Sequence, residues 1–298
     1  MKVSVLSAVY NEALHLPEML DSVRAQSHQD WEVVFVSDGS TDGTRDILAA
    51  AASSDPRIRV VGSGAKIGKA AAFNAAFAAS TGHIVVLLAG DDTLPPSSLA
   101  LRVNALRHLD PRAERGVAFG KLTTISQERA HHGMILPRGT ATSHSGGTIT
   151  LTRALAEIAF PVEPSLVSED PWLSRAAEGL AQSICDIQAS ILNYRIHPGN
   201  SNPRMGSFAQ MSTAMAQRHE AWRLLAESER LDLEPSLRDH LARHYAAELL
   251  RRKGRVLALV RLSDLSWRDR AAFASQAHPW LFRLRQRHFS LLSGRRGR

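Results

Sequence analysis

Asp91 and Asp92 follow a run of five apolar residues, Ile84-Val85-Val86-Leu87-Leu88, across the small pair Ala89-Gly90, and Thr93-Leu94-Pro95-Pro96 closes the stretch. The run suits a strand buried on both faces, and open α/β sheets bind ligands where such strands end. Two adjacent carboxylates there suit a divalent cation that grips a diphosphate. Equally, an Asp or Thr ahead of Pro-Pro-Ser-Ser-Leu suits a helix N-cap. The residue types leave both uses open. Asp38, in Ser37-Asp38-Gly39-Ser40, ends a second apolar run in the same way, and Glu169-Asp170 forms a further acidic pair just before Pro171. Taken alone, Asp170 before Pro171 reads as an N-cap.

These groups need a scaffold that brings strand ends together. Val3 to Val9, Trp31 to Val36, Arg57 to Val61 and Ile84 to Leu88 read as strands. Helical patterns alternate with them: Leu14 to Val23, a stretch around Ile47 and Leu48, and Lys69 to Ala79. Strand and helix in alternation over the first hundred residues predict a doubly wound α/β fold with a mostly parallel sheet. A helix with Leu99 to Leu109, a strand over Val117 to Ile125, a helix over Thr152 to Phe160 and a strand within Ile184 to Tyr194 follow. Residues 127–147 form a polar, Gly/His/Arg-rich irregular stretch. Its histidines (His131, His132, His144) lack the helical spacing of a zinc site and read as solvated. Gly62-Ser63-Gly64-Ala65-Lys66-Ile67 fails as a dinucleotide fingerprint at Ile67. A P-loop fails as well, with Ser63 five residues before Gly68 and Ala70 after Lys69.

From about residue 207 the chain turns helical. Met211 to Leu225 predict one helix, Pro235 to Leu262 a second that breaks near Gly254, and Phe273 to Phe289 a third. Residues 251–298 hold thirteen Lys or Arg against Asp264 and Asp269, or +11; since the whole chain is +7, the rest carries −4. Basic residues beside Phe273, Trp280, Leu281, Phe282, Leu284 and Phe289 suit contact with anionic lipid headgroups, and equally a helical cap packed on the core with a solvated arginine face. No nucleic-acid motif accompanies the tail, so no nucleic-acid partner is expected. Met1 to Val9 reads as a strand rather than a leader, no apolar run approaches a membrane span, and the single Cys185 excludes an internal disulfide. A cytoplasmic protein, peripheral at the inner face of the membrane, is expected.

Five motifs in order carry a resemblance to the inverting, family-2-type glycosyltransferases with a GT-A-type fold. They are VSVLSAVYNEALHLPEMLDSV…WEVVFVSDGSTDGT over 3–44, Gly68-Lys69-Ala70-Ala71-Ala72-Phe73-Asn74 with Thr81-Gly82, LLAGDDTLPP, Ser168-Glu169-Asp170, and Tyr194-Arg195-Ile196-His197-Pro198-Gly199-Asn200. The resemblance spans about two hundred residues and stops before 207. It implies a nucleotide-sugar-binding half (1–116) and an acceptor-binding half (117–206) of one catalytic domain; the helical pattern and charge of 207–298 predict a basic helical appendage beyond it. It also implies transfer of a sugar from a nucleoside-diphosphate donor, UDP above all, to a hydroxyl of a glycan or lipid-linked acceptor, in surface polysaccharide or glycoconjugate synthesis. Tyr10, Asn11, Glu12, Asp38, Lys69, Asn74 and Asp91 would bind the donor. Asp91, Asp92 and His197 would hold Mg2+ or Mn2+. Asp170 would be the base, with Glu169 positioning it or the acceptor. Two positions depart from the pattern: Ala89 where the family usually has an acid two residues before the metal-binding Asp, and Phe73 where many relatives have Arg.

The chemistry asks for the same groups. A nucleoside diphosphate leaving an anomeric carbon needs its charge neutralised by a cation or a lysine. The attacking hydroxyl needs a base on the opposite face, and a single base without a second carboxylate nucleophile gives inversion. Two other classes share parts of the pattern. A sugar nucleotidyltransferase would want a Gly-rich, Arg-containing loop after the first strand, where Tyr10-Asn11-Glu12-Ala13 stands. A non-catalytic nucleotide-sugar-binding protein would explain Ala89 but not the retained Lys69, Asp91 and Asp170.

Overall fold

The structure, a computed structural model, describes residues 1–197 and 207–292, the last six of these as backbone alone. The Pro198-Gly199-Asn200 end of the last motif and Arg295, Arg296 and Arg298 of the tail lie outside the described residues. The chain divides into two compact units, Met1–Gly199 and Asn200–Arg298.

In the first unit the order is β1 (Val3–Val9), α1 (Leu16–Arg24), β2 (Trp31–Ser37), α2 (Thr44–Ser54), β3 (Ile58–Val61), α3 (Lys69–Ala78), β4 (Ile84–Leu87) and α4 (Ser98–Leu106). There follow β5 (Gly116–Ser126), β6 (Ile135–Leu136), β7 (Ile149–Thr152), α5 (Arg153–Ala159), α6 (Asp170–Leu180) and β8 (Ser183–Ile196). One sheet runs β3-β2-β1-β4-β7-β5-β6, with β8 paired to β5. The β3-β2-β1-β4 block is parallel throughout, as the alternating pattern predicts. Every residue of β2 and β4 is buried, which is what helices on both faces of a parallel sheet require. On α1, Leu16, Met19, Leu20 and Val23 recur every three or four residues and face the core. Because the four strands run the same way, the turns after β1, β2 and β4 meet along one edge, and these carry Tyr10, Asp38 and Asp91.

The structure corrects the expected pattern in two places here. No strand was expected between the irregular stretch 127–147 and the helix over Thr152 to Phe160. Ile149–Thr152 forms β7, wedged antiparallel between β4 and β5. Its β-branched residues are all buried, and only tertiary pairing reveals a strand this short. Secondly, the 127–147 histidines are not simply solvated. His144 stacks on Phe119 with centroids 4.0 Å apart and meets Glu178 at 2.5 Å, while His131 meets Glu128 at 2.9 Å.

At the opposite edge of the sheet, Thr81-Gly82 closes a clasp around buried Glu32. Ser4 Oγ donates to Glu32 Oε1 at 2.7 Å, Thr81 N at 2.6 Å, and Lys2 Nζ to Oε2 at 3.0 Å. Gly82 N donates to Ser4 Oγ, and a Cβ at 82 would lie 2.6 Å from Ser4 N, so this motif is structural. Burial pushes the Glu32 carboxyl up, but the bonds from Ser4, Thr81 and Lys2 outweigh it and bring it from 4.5 to about 2. A depressed folded-state value stabilises the fold above the unfolded value and is lost as pH falls toward the folded one. Glu32 therefore contributes about 3 kcal/mol at neutral pH and under half of that by about pH 3. In urea unfolding, the parent's advantage over Glu32→Gln shrinks correspondingly between those pH values. An advantage that stayed constant with pH would show that the clasp does not hold the carboxylate ionised.

The second unit is helical: α7 (Phe208–Glu227), α8 (Pro235–Arg252), α9 (Val256–Arg261), α10 (Trp267–Ala274) and α11 (Pro279–Leu292). The break between α8 and α9 falls at Gly254, whose φ of +66° is the left-handed turn a glycine permits. The stretch expected to be one last helix is two, with Ser266 capping α10 through Asp269 N. Arg251, counted with the basic tail, is not surface charge. It is buried, pairs with Glu248 at 2.6 Å and donates to Ser212 O of α7 at 3.1 Å.

Candidate active site

The turns after β1 and β2 are knitted together by local bonds. Asn11 adopts φ +56°, which asparagine tolerates better than most residues. Its Oδ1 accepts from Thr41 N at 2.8 Å, and its own N donates to Ser40 Oγ at 3.1 Å. Glu12 N donates to Thr44 Oγ1 and Ala13 N to Asp42 Oδ2. Tyr10 projects from this platform, 48% exposed. Buried Asp38 divides its oxygens: Oδ1 accepts from Ile67 N (2.6 Å) and Gly68 N (2.9 Å), while Oδ2 faces Lys66 Nζ at 3.3 Å. Lys66 Nζ also lies 3.3 Å from the Tyr10 ring centroid. Sequence reasoning passed over Lys66, because its loop was tested only as a phosphate fingerprint.

After β4, Asp91 Oδ2 lies 3.0 Å from His197 Nε2 at the end of β8, so residues 106 positions apart share one contact. His15, at the N-cap of α1, brings its ring to 5.3 Å from that of His197. Asp92 is not the cap of α4, whose N-cap is Ser97. It is buried, accepts from Arg195 N at 2.8 Å, and is driven well above the usual carboxylate range by burial and by Asp91. It fastens the Asp91 turn to β8, helped by Arg195 Nε donating to Asp91 O. Glu12 packs over Gly90, where a Cβ would come 2.8 Å from Glu12 Cγ. Burial, then Asp91 and Asp42, push Glu12 up to about 7. Ala89 thus leaves a site with Asp91, His197 and, nearby, Glu12. No group of three or more His, Cys, Asp or Glu among the described residues is gathered for a metal. A cation bound mainly through substrate phosphates needs only one or two protein carboxylates, so one carboxylate and one imidazole fit it.

Lys69, at the first position of α3, reaches across to the start of α6, with Nζ 3.1 Å from Glu169 Oε1. Burial opposes its charge, but Glu169, Asp170 and Asp91 together hold it firmly protonated. Glu169 is buried, and burial first, then Asp170, raise it to about 7 against the pull of Lys69. The N-cap position of α6 belongs to Glu169, without a side-chain cap, and Asp170 is the first helical residue. Asp170 therefore does not occupy the cap position that the sequence suggested for it. A Cβ on Gly146 would lie 2.2 Å from Asp170 Oδ1, so that glycine makes room for the carboxylate. Phe73 is buried under this region, with Lys69 Nζ 5.7 Å from its ring. Asn74, expected at the donor, grips Val162 from both ends, accepting from its N (2.8 Å) and donating to its O (2.7 Å). That clamp and Trp172 Nε1 donating to Ala159 O fix the approach to α6.

Fully buried Arg102 of α4 holds the roof of this region. It donates to Gly147 O (2.5 Å), Ile149 O (3.0 Å), Thr150 Oγ1 (2.9 Å) and Ile191 O (3.2 Å). Burial alone lowers its guanidinium to about 9. Nothing in the sequence distinguishes it from a solvated helix arginine.

The model described as glycosyl transferase family 2 matches residues 4–151, from β1 through β7. An uncharacterized glycosyltransferase of Nostoc sp. is 30% identical over 235 residues, covering 73% of this chain and 71% of its own. The chain belongs to glycosyl transferase family 2. A Bacillus subtilis protein provisionally named as the teichuronic acid biosynthesis glycosyltransferase TuaG is 38% identical over 117 residues, 39% of this chain and 44% of that one. Among solved structures, Staphylococcus aureus TarS 1–349 in complex with UDP-GlcNAc aligns with a TM-score of 0.61 over 99% of this chain and 87% of that chain, at 19% identity. That likeness shows the fold: a GT-A-type, mostly parallel sheet followed by C-terminal helices, as expected. The family match ends before Glu169, Asp170 and His197, so these three stand in the site on the geometry above.

Proposed function

We propose that this family-2 enzyme is an inverting glycosyltransferase that moves a sugar from a UDP-linked donor to a hydroxyl of a glycan or lipid-linked acceptor in surface polysaccharide or glycoconjugate synthesis. The observation that carries the reading is the Lys69–Glu169 contact, which ties Asp170 to the same sheet edge as Asp38 and Asp91. The UDP-GlcNAc complex of TarS and the name of the teichuronic acid relative support the donor and product classes.

Tyr10 and Asp38 offer the nucleobase an aromatic face and an acceptor. Asp91 and His197 would hold Mg2+ or Mn2+, which when bound neutralises charge on the departing diphosphate. Lys69 adds a second positive charge toward that leaving group. Asp170 takes the proton from the acceptor hydroxyl, and Glu169, held by Lys69, keeps Asp170 in place. Calorimetric titration with UDP, with and without Mn2+, tests the reading: binding that tightens about tenfold or more with the metal is expected. No binding under either condition would refute it.

The second unit supplies a membrane contact in this proposal. No helix among the described residues is long and apolar enough to cross a membrane. Leu257 (72% exposed), Val260, Trp267 (67% exposed) and Trp280 nevertheless face outward, among exposed Arg255, Arg261, Arg268 and Arg283. Tryptophan with arginine suits the headgroup layer of anionic lipid. Co-sedimentation of the full chain with phosphatidylserine vesicles should fall about tenfold in the Leu257→Glu/Trp267→Glu double variant. Equal pelleting of parent and variant would refute the contact.

A further inference from the structure

Tyr10 and Asp38, the two groups that the proposed donor site offers a nucleobase, are both engaged by one side chain of the protein itself. The Lys66 ammonium sits 3.3 Å from the Tyr10 ring centroid and 3.3 Å from Asp38 Oδ2. It presents to them what a nucleobase would present: a positively polarised partner for the ring face and an N–H donor for the carboxylate. We propose that Lys66 is an internal competitor for the base subsite, so that the lysine and the base of the donor occupy Tyr10 and Asp38 by turns. This rests on the reading of Tyr10 and Asp38 as the base site.

The loop is built so that the ammonium leaves while its anchor stays. Asp38 Oδ1 holds the backbone through Ile67 N and Gly68 N, independently of Oδ2. The root of the side chain is fixed too, since a Cβ on Gly39 would lie 2.9 Å from Lys66 Cβ and that glycine has φ +79°. Only the outer stem and ammonium, on a side chain 57% exposed, have to swing. Turns at Gly62, Gly64 and Gly68, with φ of +88°, +77° and +92°, bring the loop back over the strand ends, a course that residues with a Cβ would strain. The exchange keeps the buried Asp38 carboxylate paired throughout, which removes the penalty of leaving it bare. It also places a released cation beside the site as an anionic donor settles.

The probe is uridine, which has the base but no phosphate, titrated alongside UDP. Lys66→Met keeps the stem and deletes the ammonium, so uridine should bind it about fivefold to tenfold more tightly than the parent, the scale of one exposed cation–π contact plus one surface ion pair. Lys66→Arg, which keeps a cation over the ring, should stay within about twofold of the parent. Unchanged or weaker uridine binding in Lys66→Met, with UDP still bound by the parent, would overturn the competition while leaving the donor site standing. Loss of UDP binding by the parent as well as the variants would overturn both.

Discussion

Replacing Asp170 with asparagine lowers sugar transfer about a thousandfold or more while UDP binding stays within about twofold of the parent. The amide keeps the shape of the side chain and its place over Gly146 but does not accept the hydroxyl proton, and general-base loss has effects of this size. The donor groups Asp38 and Asp91 sit on other elements and keep their partners. Steady-state transfer assays paired with calorimetric UDP titration read the two effects separately. Weakened UDP binding with normal turnover would assign Asp170 to the donor instead. Gly146→Ala reaches the same carboxylate without touching its chemistry. The new methyl would meet Asp170 Oδ1 at 2.2 Å and Glu169 Oε1 at 3.2 Å, so the carboxylate has to move. Turnover should fall about a hundredfold, the cost of misplacing a reacting group by an ångström, with little loss of stability.

Arg102→Leu should lower the unfolding free energy of the first unit by about 3 kcal/mol. The leucine fills part of the volume and removes a buried cation, which by itself would help. Against that, Gly147 O and Ile149 O lose a buried donor, and each orphaned group costs about 1–3 kcal/mol. Ile191 O keeps Ser98 Oγ at 2.6 Å and suffers less. For a unit of this length the loss corresponds to about 10 °C in Tm. Turnover should fall as well, because Gly147 is the neighbour of the glycine that seats Asp170. Thermal unfolding of parent and variant decides the matter, and a shift of under about 2 °C would mean that the carbonyls find other donors.

Most of the parallel half of the fold was legible in the residues. Val3 to Val9 and Ile84 to Leu88 are runs that only a doubly buried strand explains, and α1 repeats its apolar residues at helical spacing. β7 was not legible, because four residues give no period and its neighbours are β4 and β5, not the chain beside it. Within the site, Asp38 and Asp91 stood out because they follow apolar strands at one sheet edge, and Lys69 through the motif that carries the family resemblance. The partner of Asn74 was not legible: both ends of its amide are used by Val162, 88 positions away.

The sequence by itself determined the α/β alternation and the acids at the strand ends, because burial period, turn chemistry and strand-end polarity are local properties of a chain; its motifs carried the family resemblance. The tertiary structure alone decided how those acids divide their work. Asp92 turns inward to Arg195 N, Asp91 outward to His197, Glu169 to Lys69, and Asp170 into the space that Gly146 leaves open. The partner of each carboxylate lies on a different element, and the orientation and ionisation of a carboxylate follow from its partners and its burial, which no local pattern encodes.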